Sequence, residues 1–445
     1  MEICISCTEA EKREVLEKVS QLGIEFINFQ FTDIFGILKS VSVTTDELES
    51  ALDGYLMFDG SSVDGFARID ESDRYLVPDP KTLEIMPWRP REKGVARMIC
   101  DVHTPQGNPF SGCPRNTLKR ILREAQDMDF ELNVGPEGEF FLFHTDENDQ
   151  PTMNIHDKAG YFDMSPVDKG EDARRDIVLT MKKMGFRIET SHHEVAPGQH
   201  EVDFKYDEAL RTADNWVTFR DIVKNIALSH NLYATFMPKP LSGQNGSAMH
   251  CNQSLFQGED NIFHDPNTET ELSQVAFYYI GGLLKHARGI TAFANPTVNS
   301  YKRLRPGYEA PTNISWSSTN RSALIRIPNI RGKATRVEYR SPDPTANPYL
   351  VFAIMLKAGL DGIKNKITPP QPVNGELEEL VEQNKVEQLP QNLYEALQAA
   401  EQDPLIREAV GAQTFQRFLE GKYREWDEYA EQVHRWEINS YLDRY

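Results

Sequence analysis

Residues 133–143 read N-V-G-P-E-G-E-F-F-L-F. The run is rich in β-favouring residues and sets Glu137 and Glu139 two apart, so an extended strand would point both carboxylates to one face. Two like charges side by side need a compensating cation. The same pair is also what a solvent-facing strand carries, so the signal gains meaning only from the rest of the chain.

A second acidic cluster lies downstream in S-H-H-E-V-A-P-G-Q-H-E, residues 191–201. It offers His192, His193, Glu194, His200 and Glu201 around a Pro-Gly turn that can fold the two glutamates toward each other. Glutamate oxygens with an occasional imidazole suit Mg²⁺ or Mn²⁺, because hard ions prefer oxygen, whereas zinc draws more on Cys and His.

Further on, His250 follows S-G-Q-N-G-S-A-M, whose small residues let the backbone approach a ligand. A lone histidine there is otherwise a structural hydrogen-bonder. R-V-E-Y-R sets Arg336, Glu338 and Arg340 at alternate positions, one anion between two cations on a strand face, which is equally the pattern of a salt-bridge ladder. Lys302, Arg303, Arg321 and Arg326 add cations, and guanidinium forks bind carboxylates and phosphates through paired hydrogen bonds. Together these clusters could hold a polyphosphate through two metals and neutralise a transferring phosphoryl group. No Walker-type G-x-x-x-x-G-K-[ST] is present.

The 445 residues exceed the size at which one core keeps growing, which predicts two domains. A hydrophobic share of 39% with 10% aromatic residues suits a globular enzyme. The formal charge of −20 disfavours nucleic-acid and anionic-membrane binding, which need basic patches. Without a basic-then-apolar leader or a run of roughly 18 apolar residues, the chain reads as cytoplasmic. Five scattered cysteines do not make a disulfide framework, and the Cys4–Cys7 pair lacks the second pair a zinc site needs.

Helical spacing from Thr8 to Leu22, stopped by Gly23, predicts an opening helix. Ile24–Phe31 and Ile37–Val43 flank Gly36 as a hairpin. Strand-like segments run on to Val102, and the turn cluster from His103 marks a domain boundary, with a helix from Arg115 to Met128 and mixed strands and helices beyond. The Pro-rich Thr368–Val373 and the acidic stretch after it read as solvated connections.

These segments, in this order, resemble type I bacterial glutamine synthetases of the shorter, non-adenylylated, feedback-inhibited subgroup. The motifs are M-F-D-G-S-S from Met57, G-P-E-x-E-F-F-L-F, H-H-E-V-A-P-G-Q-H-E, K-P from Lys239 with N-G-S-A-M-H-C-N, N-S-Y-K-R-L-x-P-G-Y-E-A-P and N-R-S-A-L-I-R-I-P. The match spans nearly the whole chain. It implies an α+β fold, with an N-terminal β-grasp domain and leading helix over residues 1–107. A large catalytic domain with a curved antiparallel sheet and helices would follow over 108–445, assembled as a dodecamer of two hexameric rings.

The implied activity is glutamate–ammonia ligation through γ-glutamyl phosphate, giving glutamine, ADP and phosphate, with ATP as substrate and Mg²⁺ or Mn²⁺ as cofactor. By resemblance one metal site is Glu139, Glu194 and Glu201, and the other is Glu137, His250 and Glu338. Glutamate is implied at Asn245, Gly246, Arg303, Glu309 and Arg340. Arg321 and Arg326 would face the phosphates, with Glu189, Tyr206, Ser254 and Arg336 near the nucleotide. Asp59, reaching from an adjacent subunit, would bind ammonium, and the Pro306–Pro311 flap carrying Glu309 would close over the acyl phosphate.

Gly138 stands where the family often has Pro and Ala248 where Gly is common; neither removes a ligand, though Gly138 is expected to loosen the strand. Tyr394 lacks the context of an adenylylated tyrosine. Arg68 matches an arginine linked with glutamine feedback, against the plainer reading of a surface salt bridge, and a transcription regulator is an implied partner. The nearest rival is a γ-glutamyl-amine ligase, against which Asp59 and D-G-S-S argue. A catalytically silent relative would have lost metal or arginine residues, and none is lost.

Overall fold

A computed structural model describes residues 7–66, 72–90, 92–373 and 386–445. The opening helix is Glu9–Gln21, with Thr8 and Glu11 forming a reciprocal capping box and Gly23 at φ +63° just beyond its end. Ile24–Thr32 and Leu38–Thr44 pair antiparallel in the expected hairpin, turned at Gly36, φ +83°. Ile24–Thr32 also pairs in parallel with Gly94–His103, which makes it an interior strand of a six-stranded sheet. The short helix Leu48–Leu52, which apolar spacing did not reveal, buries Leu48, Ala51 and Leu52 in the core.

Beyond the turn at 104–108, helix Pro114–Gln126 buries Leu118, Ile121 and Ala125. Two further sheets follow. A seven-stranded one includes Glu131–Pro136, Cys251–Gln257, Val337–Tyr339 and Ile325–Arg326 as successive neighbours. A five-stranded one runs Ile188–His193, Gln199–Phe204, Glu139–Thr145, Leu232–Thr235. The chain crosses from one to the other between Pro136 and Glu139, so Glu137 and Glu139 do not share one continuous strand as the E-x-E spacing suggested. Gly138 makes the crossing possible: a Cβ there would sit 2.7 Å from the Val202 carbonyl and 2.8 Å from the Phe219 ring. The glycine is therefore tightly enclosed, whatever looseness its sequence context suggested.

The hydrophobic core is continuous from Phe29 of the first sheet and Phe66 in the turn beyond it through Phe219 and the apolar run Leu350–Leu356 of helix Pro348–Lys364 to Phe418. The Pro-rich segment is not simply solvated: Trp316 donates its indole N–H to Pro370 O at 2.6 Å, and Val373 is buried. The described cysteines Cys7, Cys100, Cys113 and Cys251 are free and buried. No described helix is long and apolar enough to cross a membrane.

Candidate active site

The seam between the two large sheets is the floor of a cavity of about 450 Å³. Glu137 enters it from the crossing, where its backbone N–H bonds to His250 O at 3.0 Å, and His250 from the end of the preceding loop. Glu338 sits opposite Asn252 on the neighbouring strand. His250 Nδ1 lies 2.7 Å from Glu137 Oε2 and 3.9 Å from Glu338 Oε1, and the three side chains can converge on one ion.

A second convergent group is His192, Glu194 and Glu201. The hairpin Ile188–His193 and Gln199–Phe204 pairs His192 with Glu201 across its strands, while the Pro-Gly turn brings Glu194 back beside them. Glu139 pairs with Glu201 on the next strand and lines the same cavity. Its Oε2 accepts from the Ala248 N–H at 2.9 Å and the Gln199 amide at 3.0 Å, which fixes the carboxylate beside this group.

The cations surround the acids. Glu338 accepts from Arg340 Nε at 3.0 Å and from Arg326 Nη1 at 2.8 Å. Arg336 does not complete the expected ladder; it turns to Asn252 Oδ1 at 2.9 Å, because the guanidinium of Arg326 arrives from the adjacent strand instead. Arg340 Nη1 is buried with no hydrogen-bond partner, a donor aimed for an anion the protein itself does not provide. Arg303 is pinned by the carbonyls of Ser341 and Arg340 at 2.7 and 3.2 Å. Gly246 packs against it: a Cβ there would lie 3.2 Å from Arg303 Cγ and 2.2 Å from Pro238 O. Arg321, Asn245 and Glu309 complete the rim.

A second cavity of about 430 Å³ shares Glu137 with the first. Its walls include Glu189, Tyr206, Ser254 and Arg336, four residues distant in sequence that the resemblance placed near the nucleotide. A third cavity of about 630 Å³ lies apart between Lys285, Lys357 and Asp361, and these lysines are already ion-paired, Lys285 to Asp361 and Lys357 to Glu124 and Glu408. The structure leaves one expected residue, Asp59, out of these cavities. Asp59 is exposed at a strand end, its carboxylate held by Ser61 N–H at 2.9 Å and the Ser61 hydroxyl at 2.6 Å. Arg68 lies outside the described residues.

Residues 111–441 match the family model for the glutamine synthetase catalytic domain, and residues 23–105 match that for the glutamine synthetase beta-Grasp domain. The chain belongs to the glutamine synthetase family. It is similar to the glutamine synthetase of Clostridium saccharobutylicum, 53% identical over 438 residues that cover 98% of this chain and 99% of the relative. The glutamine synthetase of Methanosarcina mazei is 54% identical over 435 residues, covering 97% of each. Among solved structures, GmaS in complex with ADP superposes with a TM-score of 0.89 at 34% identity, covering 96% of this chain and 99% of that one. Ligand-free GmaS gives 0.88 with the same identity and coverage. The α+β fold, with its beta-Grasp and catalytic domains, is the one the family implies.

The donor set of this family member fits divalent cations. Burial drives the Glu139 carboxyl well above the usual carboxylate range, and Glu194 nearby pushes it further; burial and then Asp203 and Glu139 do the same to Glu201. A cation among them removes that cost. Burial also works against ionised Glu137, but His250 and the Asn252 amide overcome it and hold the group down to about 2. His250 Nδ1 faces Glu137 and Glu338, so it is the nitrogen that can join them as a ligand. Sequence reasoning missed Gln199, whose amide bridges Glu139 and Gly246 O at 3.0 and 3.1 Å, and Tyr161 and Tyr308 on the cavity wall. All three lie within or beside the glycine-bearing motifs A-G-Y-F, A-P-G-Q and P-G-Y-E, a signal that close backbone packing would expose them.

Proposed function

We propose that this chain is a glutamine synthetase that joins ammonia to the γ-carboxylate of L-glutamate at the expense of ATP. The observation that carries the reading is one cavity in which buried carboxylates short of a cation face a buried, unpartnered arginine donor, opening at Glu137 onto a second cavity.

A carboxylate is a poor electrophile until a phosphate leaving group is attached. Glutamate, held through Arg340, Arg303, Asn245 and Gly246, attacks the γ-phosphorus of ATP with a γ-carboxylate oxygen, and the bond to the ADP oxygen breaks. Arg321 and Arg326 neutralise the phosphoryl oxygens as charge builds there. Glu137, His250 and Glu338, and Glu139, Glu194 and Glu201, would hold Mg²⁺ or Mn²⁺, which would supply Lewis-acid stabilisation of the developing charge. Glu189, Tyr206, Ser254 and Arg336 hold the nucleotide. Ammonium then loses a proton, its nitrogen lone pair attacks the acyl carbon, and phosphate leaves.

Asp59 of an adjacent subunit binds the ammonium. Its carboxyl, held below the usual range by the Ser61 hydroxyl and N–H, is the kind of fixed anion that task needs. This role implies an oligomer with shared sites, which we place as a dodecamer of the type I, non-adenylylated subgroup acting in the cytoplasm, with Arg68 in feedback control and a transcription regulator as partner. Tyr394, exposed on helix Leu393–Gln402 beside Tyr423 and Trp426, reads as an ordinary helix residue. We set the domain boundary at 107/108, a position supported by family matches that end at 105 and resume at 111.

The test is phosphate release from ATP by the purified protein with glutamate and Mg²⁺ or Mn²⁺, with ammonium compared against a panel of amines and products identified by mass. Glutamine formed preferentially from ammonium supports the reading. A preferred larger amine would make the chain a γ-glutamyl-amine ligase, and no turnover would make it a silent relative.

A further inference from the structure

Behind the Glu194 turn lies a polar cluster that lines neither cavity. His156, Asp157, Asp168 and His200 are buried and close enough to suggest a third metal centre. Their hydrogen-bond directions argue against it. Arg174 Nη1 is 2.8 Å from His200 Nδ1, and a guanidinium can only donate, so the His200 proton is on Nε2. His156 Nε2 lies 3.0 Å from Asp157 Oδ2 and 3.2 Å from His200 Nε2, and His156 donates from Nδ1 to Leu142 O at 2.9 Å. Both Nε2 atoms are thereby committed. The positive charge is already present in Arg174, 2.8 Å from Asp168 Oδ2. Packing is also complete: a Cβ on Gly170 would lie 2.5 Å from His200 Nε2 and 2.8 Å from His156 Nε2. The cluster is a scaffold.

Asp157 is the member that reaches the site. Its Oδ1 accepts from the Gly198 N–H at 3.0 Å and from His193 Nε2 at 3.2 Å, and its Oδ2 accepts from the Lys169 N–H at 3.3 Å. His193 in turn donates from Nδ1 to the Glu194 carbonyl at 2.7 Å. One carboxylate thus grips both arms of the turn, Gly198 directly and Glu194 through His193. Gly198 is at φ +70°, with Ile155 2.9 Å from where its Cβ would be, so the turn is pressed against the sheet where Asp157 holds it. Among the described residues, backbone bonds from Glu194 N–H to Gln199 O, Gln199 N–H to Ala196 O and Leu142 N–H to Gly198 O add to this grip.

We propose that Asp157, acting through His193 and Gly198, is a positioning residue that sets the spacing of Glu194 and Glu201 and thereby the affinity of that cluster for a divalent cation. The inference rests on reading His192, Glu194 and Glu201 as part of a metal site.

The experiment titrates metal-free, full-length protein with Mn²⁺, following free Mn²⁺ by electron paramagnetic resonance, for wild type, Asp157→Ala and Asp157→Asn. Loss of an outer-shell partner typically weakens metal affinity about 10–100-fold. Asp157→Ala is expected to weaken one class of Mn²⁺ sites by about that factor and to leave the other class unchanged. Asp157→Asn, which keeps an oxygen for Gly198, should lose less. In turnover, the half-saturating Mn²⁺ concentration rises by a similar factor while kcat at saturating Mn²⁺ recovers, a split that general structural damage would not produce. Should Asp157→Ala fail to fold, the Asn variant decides by the same two readouts. Two unchanged classes in the variants overturn the role of Asp157 and leave the metal reading standing; a wild type that binds no Mn²⁺ overturns the metal reading itself.

Discussion

Asn245 donates its side-chain amide to Glu309 Oε2 at 3.0 Å, joining two loops that reach the cavity rim from opposite sides. Glu309 is held at φ +54°, a region that side chains other than Gly rarely occupy, and Lys239 Nζ sits 3.5 Å over the ring of Tyr308 beside it. The loop over 305–311 is therefore latched in place. Asn245→Ala should release it and admit water to the acyl phosphate. Phosphate released per glutamine formed, near one in the wild type, is expected to rise several-fold. An unchanged ratio would show that the latch does not protect the intermediate.

Glu338 is shared between the group proposed to hold a metal and two arginines, so Glu338→Gln would remove a proposed ligand and leave Arg326 and Arg340 facing a neutral amide. A ligand at 100 times its Kd stabilises the folded state by about 2.7 kcal/mol. Wild type should therefore gain several degrees in Tm on adding Mn²⁺ and lose them in chelator, whereas Glu338→Gln should lose most of that increment. A full Mn²⁺-dependent shift in the variant would remove Glu338 from the metal site.

His286 supplies a pH-dependent contribution far from the site. Burial disfavours its charged form, but Asp403 at 2.6 Å and Asp361 at 3.0 Å outweigh burial, and the pKa is raised above its usual 6.5. A raised folded pKa stabilises the fold fully below the unfolded value, and that contribution disappears as pH climbs through the folded value. The stability gap between wild type and His286→Gln should be larger at about pH 5.5 than at about pH 9. A gap that is flat or widens with pH contradicts this.

Gly138 has no room for a side chain. Gly138→Ala would drive a methyl group into the Val202 carbonyl and the Phe219 ring, and overpacking of this kind costs about 1–3 kcal/mol. Denaturant unfolding should show that loss, and Phe219→Leu in the same chain should recover part of it. An alanine variant as stable as the wild type would mean that the two sheets can shift apart at the crossing.

The opening helix, the first hairpin and the helix after the boundary were legible because capping residues, apolar period and positive-φ glycines are local signals. Glu137, His250 and Glu338 stand out as candidate ligands through the family motifs, but the residues alone leave each one open to an ordinary structural role. Two pieces that spacing does not settle share a cause. The E-x-E spacing suggests one strand, and R-V-E-Y-R by itself is equally open to a salt-bridge ladder, because spacing along a strand says nothing about which sheet the next residue joins or which arginine arrives from a neighbour.

What the sequence determined by itself is the set of chemical groups, their local conformations and the family to which their order belongs. What tertiary structure alone decided is which of them meet: Arg326 rather than Arg336 on Glu338, Gln199 between Glu139 and Gly246, Asp157 behind the Glu194 turn. Those partners lie up to about 60 residues apart and are chosen by burial. Inside the seam between two sheets every carboxylate and guanidinium must find a counter-charge, and only the packed fold determines which one is within reach.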